Sequence, residues 1–301
     1  MNRFEWALSG GGVLIADGAM GTQIEERRRA DGLTSPIAPE RVLLESGETI
    51  RAIHADYVHA GAEAILTCTF GASRLQLRKL GLESQFEAVH RAAVEAARGA
   101  AGPAGVVLGS LGPLGEWLSP WGRLSRNEAK SLYGERAAVL AETGQVDGIL
   151  VETQYDLGEV EAAVEAIRSS CALPVIVSTS FDTRGRTMMG VSPEAMAAAL
   201  VAKGIEVMGA NCGHSMAETL EAVVRIRAAA PGAVIWAKPN AGLPRVIGDR
   251  VVYDLTPEAF ASWAKRFVAE GVRVFGGCCG TTPEHIAAAA DALRGSGHRR
   301  R

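Results

Sequence analysis

Eight short apolar runs, most of them rich in β-branched residues, recur along the chain, and each ends in small or polar residues. They are Val13–Asp17, Ala64–Thr69, Val106–Ser110, Ile149–Glu152, Val175–Thr179, Val207–Asn211, Val234–Lys238 and Val272–Gly276. Runs without polar alternation fit strands buried on both faces, as in a parallel sheet. Ala- and Leu-rich stretches of helical period lie between most of them: Phe86–Arg98, Leu157–Arg168, Pro193–Lys203, Met216–Ala230 and Pro257–Glu270. Three helix starts carry the same signal, Ser192-Pro193-Glu194, Thr256-Pro257-Glu258 and Thr282-Pro283-Glu284. A capping hydroxyl, a proline at the first helical position and an early carboxylate each favour a helix N-terminus. Eight alternations of strand and helix in 301 residues predict one closed α/β unit, a single (β/α)8 TIM barrel over residues 1–294. Residues 295–301 read as a frayed basic tail, whose three arginines are the one hint of a nucleic-acid contact.

The barrel expectation locates the chemistry, because active sites of this fold collect at the C-terminal ends of the strands. Those ends carry Asp17-Gly18, Thr69-Phe70, Ser110-Leu111-Gly112, Glu152-Thr153, Ser178, Asn211-Cys212, Lys238 with Asn240, and Cys278-Cys279. Polar and metal-binding groups therefore gather at one mouth. A net charge of −3 without a basic, aromatic-interleaved stripe argues against nucleic acid as a partner. No apolar run is long enough to span a bilayer, and the start Met1-Asn2-Arg3-Phe4-Glu5-Trp6 does not read as a signal peptide, so no membrane association and a cytoplasmic location are expected.

Of five cysteines, Cys278 and Cys279 are adjacent and Cys212 lies far upstream. Adjacent cysteines rarely pair with each other, so the set suggests metal or redox chemistry more than a disulfide. In the barrel the strands before Cys212 and before Cys278 have one neighbour between them, and their ends can converge on one ion. Three thiolates suit a zinc ion that keeps its fourth position open. Such a thiolate-rich centre favours a bound substrate thiolate over polarised water. The alternative reading is of buried structural or redox cysteines. Cys68 and Cys171, in apolar surroundings, read as buried spectators. Asn240 is either an amide-oxygen ligand to the metal when substrate is absent or a turn residue in Pro239-Asn240-Ala241-Gly242.

Four motifs resemble the homocysteine S-methyltransferase family, which includes betaine–homocysteine methyltransferases and the homocysteine-binding module of cobalamin-dependent methionine synthase. They are Asp17-Gly18-Ala19-Met20-Gly21-Thr22, Gly209-Ala210-Asn211-Cys212, Pro239-Asn240-Ala241-Gly242-Leu243-Pro244 and Gly276-Gly277-Cys278-Cys279-Gly280-Thr281-Thr282-Pro283. The resemblance covers residues 10 to 293 and implies zinc on Cys212, Cys278 and Cys279. It implies that Asp17 and Glu152 hold the homocysteine amino group, and that the amides of Gly18, Ala19 and Met20 hold its carboxylate. Ser178 is expected to line the same pocket. From the residues alone, Asp17 could be a turn residue and Glu152 a strand-end ion-pair partner. The implied reaction is direct methyl transfer to a zinc-bound homocysteine thiolate, giving methionine.

The methyl donor is less constrained. The Pro-Asn-Ala-Gly-Leu-Pro segment resembles cobalamin-dependent enzymes, yet 301 residues leave no room for a corrinoid domain, so a corrinoid protein would have to act in trans. The stretches Gly109-Ser110-Leu111-Gly112-Pro113 and Ser180-Phe181-Asp182-Thr183 are more similar to stand-alone, betaine-dependent members. A cationic onium donor is best held by aromatic faces, and Phe70, Trp117, Trp121 and Tyr155 near strand ends offer a cage. The favoured donor is thus an onium compound such as glycine betaine; the alternative for the tryptophans is loop packing or a contact in an oligomer. A zinc hydrolase would need a base, for which His214 is the nearest histidine in sequence, although such a residue more often caps the next helix. A non-enzymatic zinc-binding protein would not require polar strand ends.

Overall fold

The structure is a computed structural model that describes residues 3–9, 12–33, 35, 37–248 and 250–294. The expected basic tail lies outside the described residues.

Among the described residues ten strands form: β1 (Leu14–Ile15), β2 (Ala64–Leu66), β3 (Val106–Leu111), β4 (Gly148–Gln154), β5 (Val175–Thr179), β6 (Val207–Cys212), β7 (Val234–Pro239), β8 (Arg245–Ile247), β9 (Arg250–Val252) and β10 (Val272–Phe275). Eight of them make one parallel sheet in the order β1-β10-β7-β6-β5-β4-β3-β2. A parallel bridge from Ala16 to Ala64 joins the two edges, and the Asp17 amide donates to the Ala64 carbonyl at 3.0 Å, so the sheet closes. The (β/α)8 barrel expected from the eightfold alternation is present, with all eight runs in place. The five expected helices form as Phe86–Ala101, Leu157–Ser170, Pro193–Ala202, Met216–Ala229 and Pro257–Ala269.

Two of the three repeated start signals work as capping chemistry dictates. The amides of Ala195 and Ala259 donate to Ser192 Oγ and Thr256 Oγ1, each at 3.3 Å, satisfying an otherwise orphaned donor. Thr282 spends its hydroxyl differently, on Glu284 and His285.

Strand parity divides the core in two. Leu14, Ala64, Leu66, Val106, Leu108, Leu150, Ile176, Val207, Trp236 and Val274 pack together inside the barrel, while their strand neighbours, such as Ile65, Val107, Ile149, Val177 and Ile235, pack outward on the helices. Because side chains alternate along a strand, continuing the inward parity toward the C-terminal ends reaches Ser110, Glu152, Ser178, Asn211 and Lys238. All five are buried. The lower barrel is therefore apolar and the mouth polar by the same alternation.

Two elements had no clear signal in the sequence. A short helix, Arg3–Ser9, packs Phe4 and Ala7 into the inner core, and Arg3 pairs with Asp147 at 3.0 Å below β4. This helix plugs the N-terminal end of the barrel. On the opposite side, β8 and β9 form an exposed antiparallel hairpin in the connection from β7 to β10. Among the described residues no helix is long and apolar enough to cross a membrane.

Candidate metal and amino-acid site

The sheet order sets β7 between β6 and β10, so the loops after β6 and β10 meet over the end of β7. The sulfurs of Cys212, Cys278 and Cys279 lie within 4.8 Å of one another, with Cys212 Sγ 2.9 Å from Cys278 Sγ. Among the described residues they form the one cluster of His, Cys, Asp or Glu with a geometry suited to a metal ion. The loop holding the adjacent pair is drawn tight at its glycines. A Cβ on Gly277 would sit 2.4 Å from the Thr281 side chain, and Gly280 has φ of +78°, so neither position tolerates a larger residue without strain. Thr281 fastens the loop, donating from Oγ1 to the Cys278 carbonyl at 2.7 Å, while Tyr57 donates to the carbonyls of Ala19 and Thr281.

Close thiols share protons. Cys212 and Cys278 donate toward Cys279, and Tyr253 adds a third donor, which together hold the Cys279 thiol below the usual cysteine range despite its burial. The donor set is that of a soft-metal site with one sulfur already disposed to be anionic. Asn240 stands beside this loop, flanked by the Pro239 carbonyl, which accepts from the Cys278 amide at 2.8 Å, and the Ala241 amide, which donates to the Cys279 carbonyl at 3.0 Å. Its Nδ2 donates to the Gly213 carbonyl at 3.0 Å, which aims the amide, while its buried Oδ1 has no hydrogen-bond partner among the described residues. A buried acceptor left unpaired is costly, and a cation would satisfy it.

Asn211, which the sequence reading passed over as a mere neighbour of Cys212, proves to be the hub. Its Oδ1 accepts from the Thr153 amide at 2.9 Å and from Ser178 Oγ at 2.7 Å. Its Nδ2 donates to Thr153 Oγ1 at 2.7 Å and to Cys212 Sγ at 3.3 Å. Thr153 and Cys212 both take left-handed backbone conformations, with φ of +58° and +60°, which are costly for residues bearing a Cβ. Asn211 clamps the first from its side chain and adjoins the second.

A cavity of about 610 Å³ opens beside the cysteines, lined by Asp17, Gly18, Ala19, Met20, Ser110, Glu152, Lys238 and Phe70 among others. Lys238 Nζ donates to Asp17 Oδ1 at 2.5 Å, and the Leu66 amide donates to Asp17 Oδ2 at 2.8 Å. Burial alone would lower the Lys238 ammonium, but Asp17 and Glu152 outweigh it and raise it above the ordinary lysine value. Ser110 donates to Glu152, whose carboxyl burial nevertheless pushes up to about 7, with Lys238 pulling the other way. Of the three amides after Asp17, that of Ala19 is already committed to Thr281 Oγ1 at 3.1 Å.

Several expected residues stand elsewhere. Ser178 is fully buried and touches Asn211, not the cavity lining. Of the four aromatic candidates only Phe70 lines the cavity. Trp117 packs on Tyr155 with ring centroids 6.0 Å apart, and Trp121 is 77% exposed, because the loop after β3 folds back on itself through a Leu118–Leu124 bridge. His214 is exposed, and the next helix is capped by Ser215 instead. Cys68 is buried as expected, yet it borders the cavity.

Comparison with known proteins agrees with this arrangement. The family model described as homocysteine S-methyltransferase matches residues 14–293. Methionine synthases of Mycobacterium leprae and Mycobacterium tuberculosis are each 32% identical over 297 residues, covering 93% of this chain. The match takes in 24% of their length, so the chain spans about a quarter of these relatives. Among solved structures, the metallated form of the homocysteine methyltransferase MmuM from Escherichia coli is similar at a TM-score of 0.80 and 26% identity, covering 96% of this chain and 99% of that one. Its apo form aligns at 0.74. A methyltransferase from Methanosarcina mazei, 13% identical with a TM-score of 0.62, shares the fold.

Proposed function

Because the chain belongs to the homocysteine S-methyltransferase family, we propose that it methylates the sulfur of homocysteine to give methionine, using zinc held by Cys212, Cys278 and Cys279 and an onium donor such as glycine betaine. The observation that carries this reading is the meeting of three cysteine sulfurs with Asp17 and Glu152 around one cavity. A thiol amino acid needs a soft metal at its sulfur and carboxylates at its ammonium, and these two demands are met a few residues apart.

Zinc, when bound, would keep the substrate thiol ionised near neutral pH and nucleophilic. The remaining work belongs to the chain. Asp17 and Glu152 receive the ammonium, and the amides of Gly18 and Met20 receive the carboxylate, since the Ala19 amide serves Thr281. Asn211 holds Cys212 in register with the strand end that carries Glu152. Asn240 Oδ1, buried without a partner, would be the further oxygen donor to the metal when substrate is absent. The thiolate sulfur then attacks the methyl carbon in line, and the S–C bond forms as the bond from that carbon to the onium centre breaks, its electron pair leaving on the now neutral donor atom. No general base is needed at this step, and the rate derives from orienting two substrates in a small cavity.

An onium donor is favoured by the cavity lining, where Glu25 and Glu40 stand with the Phe70 ring. A corrinoid protein acting in trans is the second reading, favoured by the similarity to methionine synthases. Hydrolysis is disfavoured because His214 is exposed and absent from the lining.

Cys278→Ala is expected to abolish zinc stoichiometry and methionine formation together; full activity in a metal-free variant refutes the metal assignment. Supplying homocysteine with glycine betaine, S-methylmethionine, dimethylsulfoniopropionate or methylcobalamin separately identifies the donor. Turnover with methylcobalamin alone would rule out the onium reading.

A further inference from the structure

Lys238 has no part in the reaction described so far, yet it stands at the centre of the site. It follows the inward parity of Trp236 on β7, directly between the two cysteine-bearing strand ends, with its side chain 4% exposed. Carboxylates of Asp17, Glu25, Glu40 and Glu152 line the cavity together with the clustered cysteines, and Lys238 is the only cationic side chain among the described lining residues. A thiol amino acid whose sulfur is ionised carries a net negative charge. An acidic cavity would repel it, the more strongly wherever water is excluded.

We propose that Lys238 is the positioning and charge-balancing residue of the amino-acid pocket, fixing Asp17 for the substrate ammonium and offsetting the acidic mouth so that the thiolate form of the substrate binds. The proposal rests on the homocysteine reading above. Geometry supports both halves. Asp17 is held from two sides, by Lys238 at Oδ1 and by the Leu66 amide at Oδ2. Each carboxylate oxygen thereby keeps a further lone pair for an incoming ammonium, in an orientation set before binding. Lys238 and Glu152 both line the cavity, at inward positions on the ends of β7 and β4, so one cation stands with both carboxylates that hold the amino group. Register places it beside Asn211, the hub of the cysteine side.

The test compares zinc-loaded wild type with Lys238→Met, Lys238→Gln and Lys238→Arg, each checked for metal content and far-UV circular dichroism, with homocysteine binding measured by calorimetry. The neutral variants are expected to keep their zinc and weaken homocysteine about 30-fold or more, as when one partner of a buried charge pair is removed. Lys238→Arg, which keeps the charge, is expected to restore most of that loss. A neutral variant that folds, holds zinc and binds homocysteine within about threefold of wild type overturns the role of Lys238. So does an arginine variant as weak as the neutral ones, which also serves if those fail to fold. If wild type itself does not bind homocysteine, the function reading falls instead.

Discussion

At the scale of single residues, Asn240 Oδ1 stands out because, like the Thr22 hydroxyl of the cavity lining, it is buried without a partner among the described residues. Its amide is oriented by the Gly213 carbonyl, so the free oxygen is a fixed and not a wandering acceptor. Asn240→Ala is therefore expected to weaken zinc in the substrate-free protein by about tenfold, the order of one lost ligand interaction, and to leave zinc affinity with homocysteine present nearly unchanged. Competitive chelator titration with and without homocysteine reads this directly; equal loss in both states would show a purely structural residue. The cysteines were legible in the sequence as an unusual set at two strand ends, whereas Asp17 and Glu152 were singled out only by the resemblance to the family, since a strand-end carboxylate alone fits a turn or an ion pair equally well. Asn211 and Lys238 were less legible. Their importance lies in contacts to residues tens of positions away, which local sequence does not encode. The aromatic cage misled for a related reason, since proximity to a strand end does not say which way a long loop folds.

At the scale of elements, the strands were the most legible part, because burial on both faces leaves an uninterrupted apolar run that few other structures need. Their parity was implicit in the same runs and separates the dry lower barrel from the polar mouth. The Arg3–Ser9 helix escaped notice since seven residues are too few to show a period, and its role depends on a hole that exists only once the barrel has closed. Its anchor, Phe4, is fully buried within the inner core. Phe4→Ala should cost about 3 kcal/mol, the usual range for an aromatic removed from a packed core, and should lower the midpoint of urea unfolding with little effect on homocysteine affinity. The hairpin β8–β9 was equally hidden, being exposed on both strands and so without the apolar signature of its neighbours.

At the scale of the whole molecule, buried histidines and buried carboxyls pull the acid response in opposite directions. Burial lowers His54 to about 4 and His90 to about 3, while it raises Glu152 to about 7. The histidines stay neutral in the fold but take protons when unfolded below about 6.5, so each contributes stability that is lost as pH falls from there. Glu152 works in the other sense, since the folded protein holds its proton between about 4.5 and 7 and gains stability on acidification. Glu40 and Glu159, also raised by burial, act in the same sense as Glu152, so the histidine share is read by comparison: the melting temperature of metal-free His54→Gln should fall less between pH 7 and pH 5 than that of the wild type. An equal fall in the two proteins would contradict the burial of His54 as a neutral group. The plugged lower end carries a consequence for turnover. With that end stoppered, traffic in both directions uses a single doorway, and the amino acid seated against the cysteines lies behind whatever delivers the methyl group. Homocysteine should therefore enter first and methionine leave last. Initial-rate kinetics should show an ordered sequence in which methionine competes with homocysteine but not with the donor.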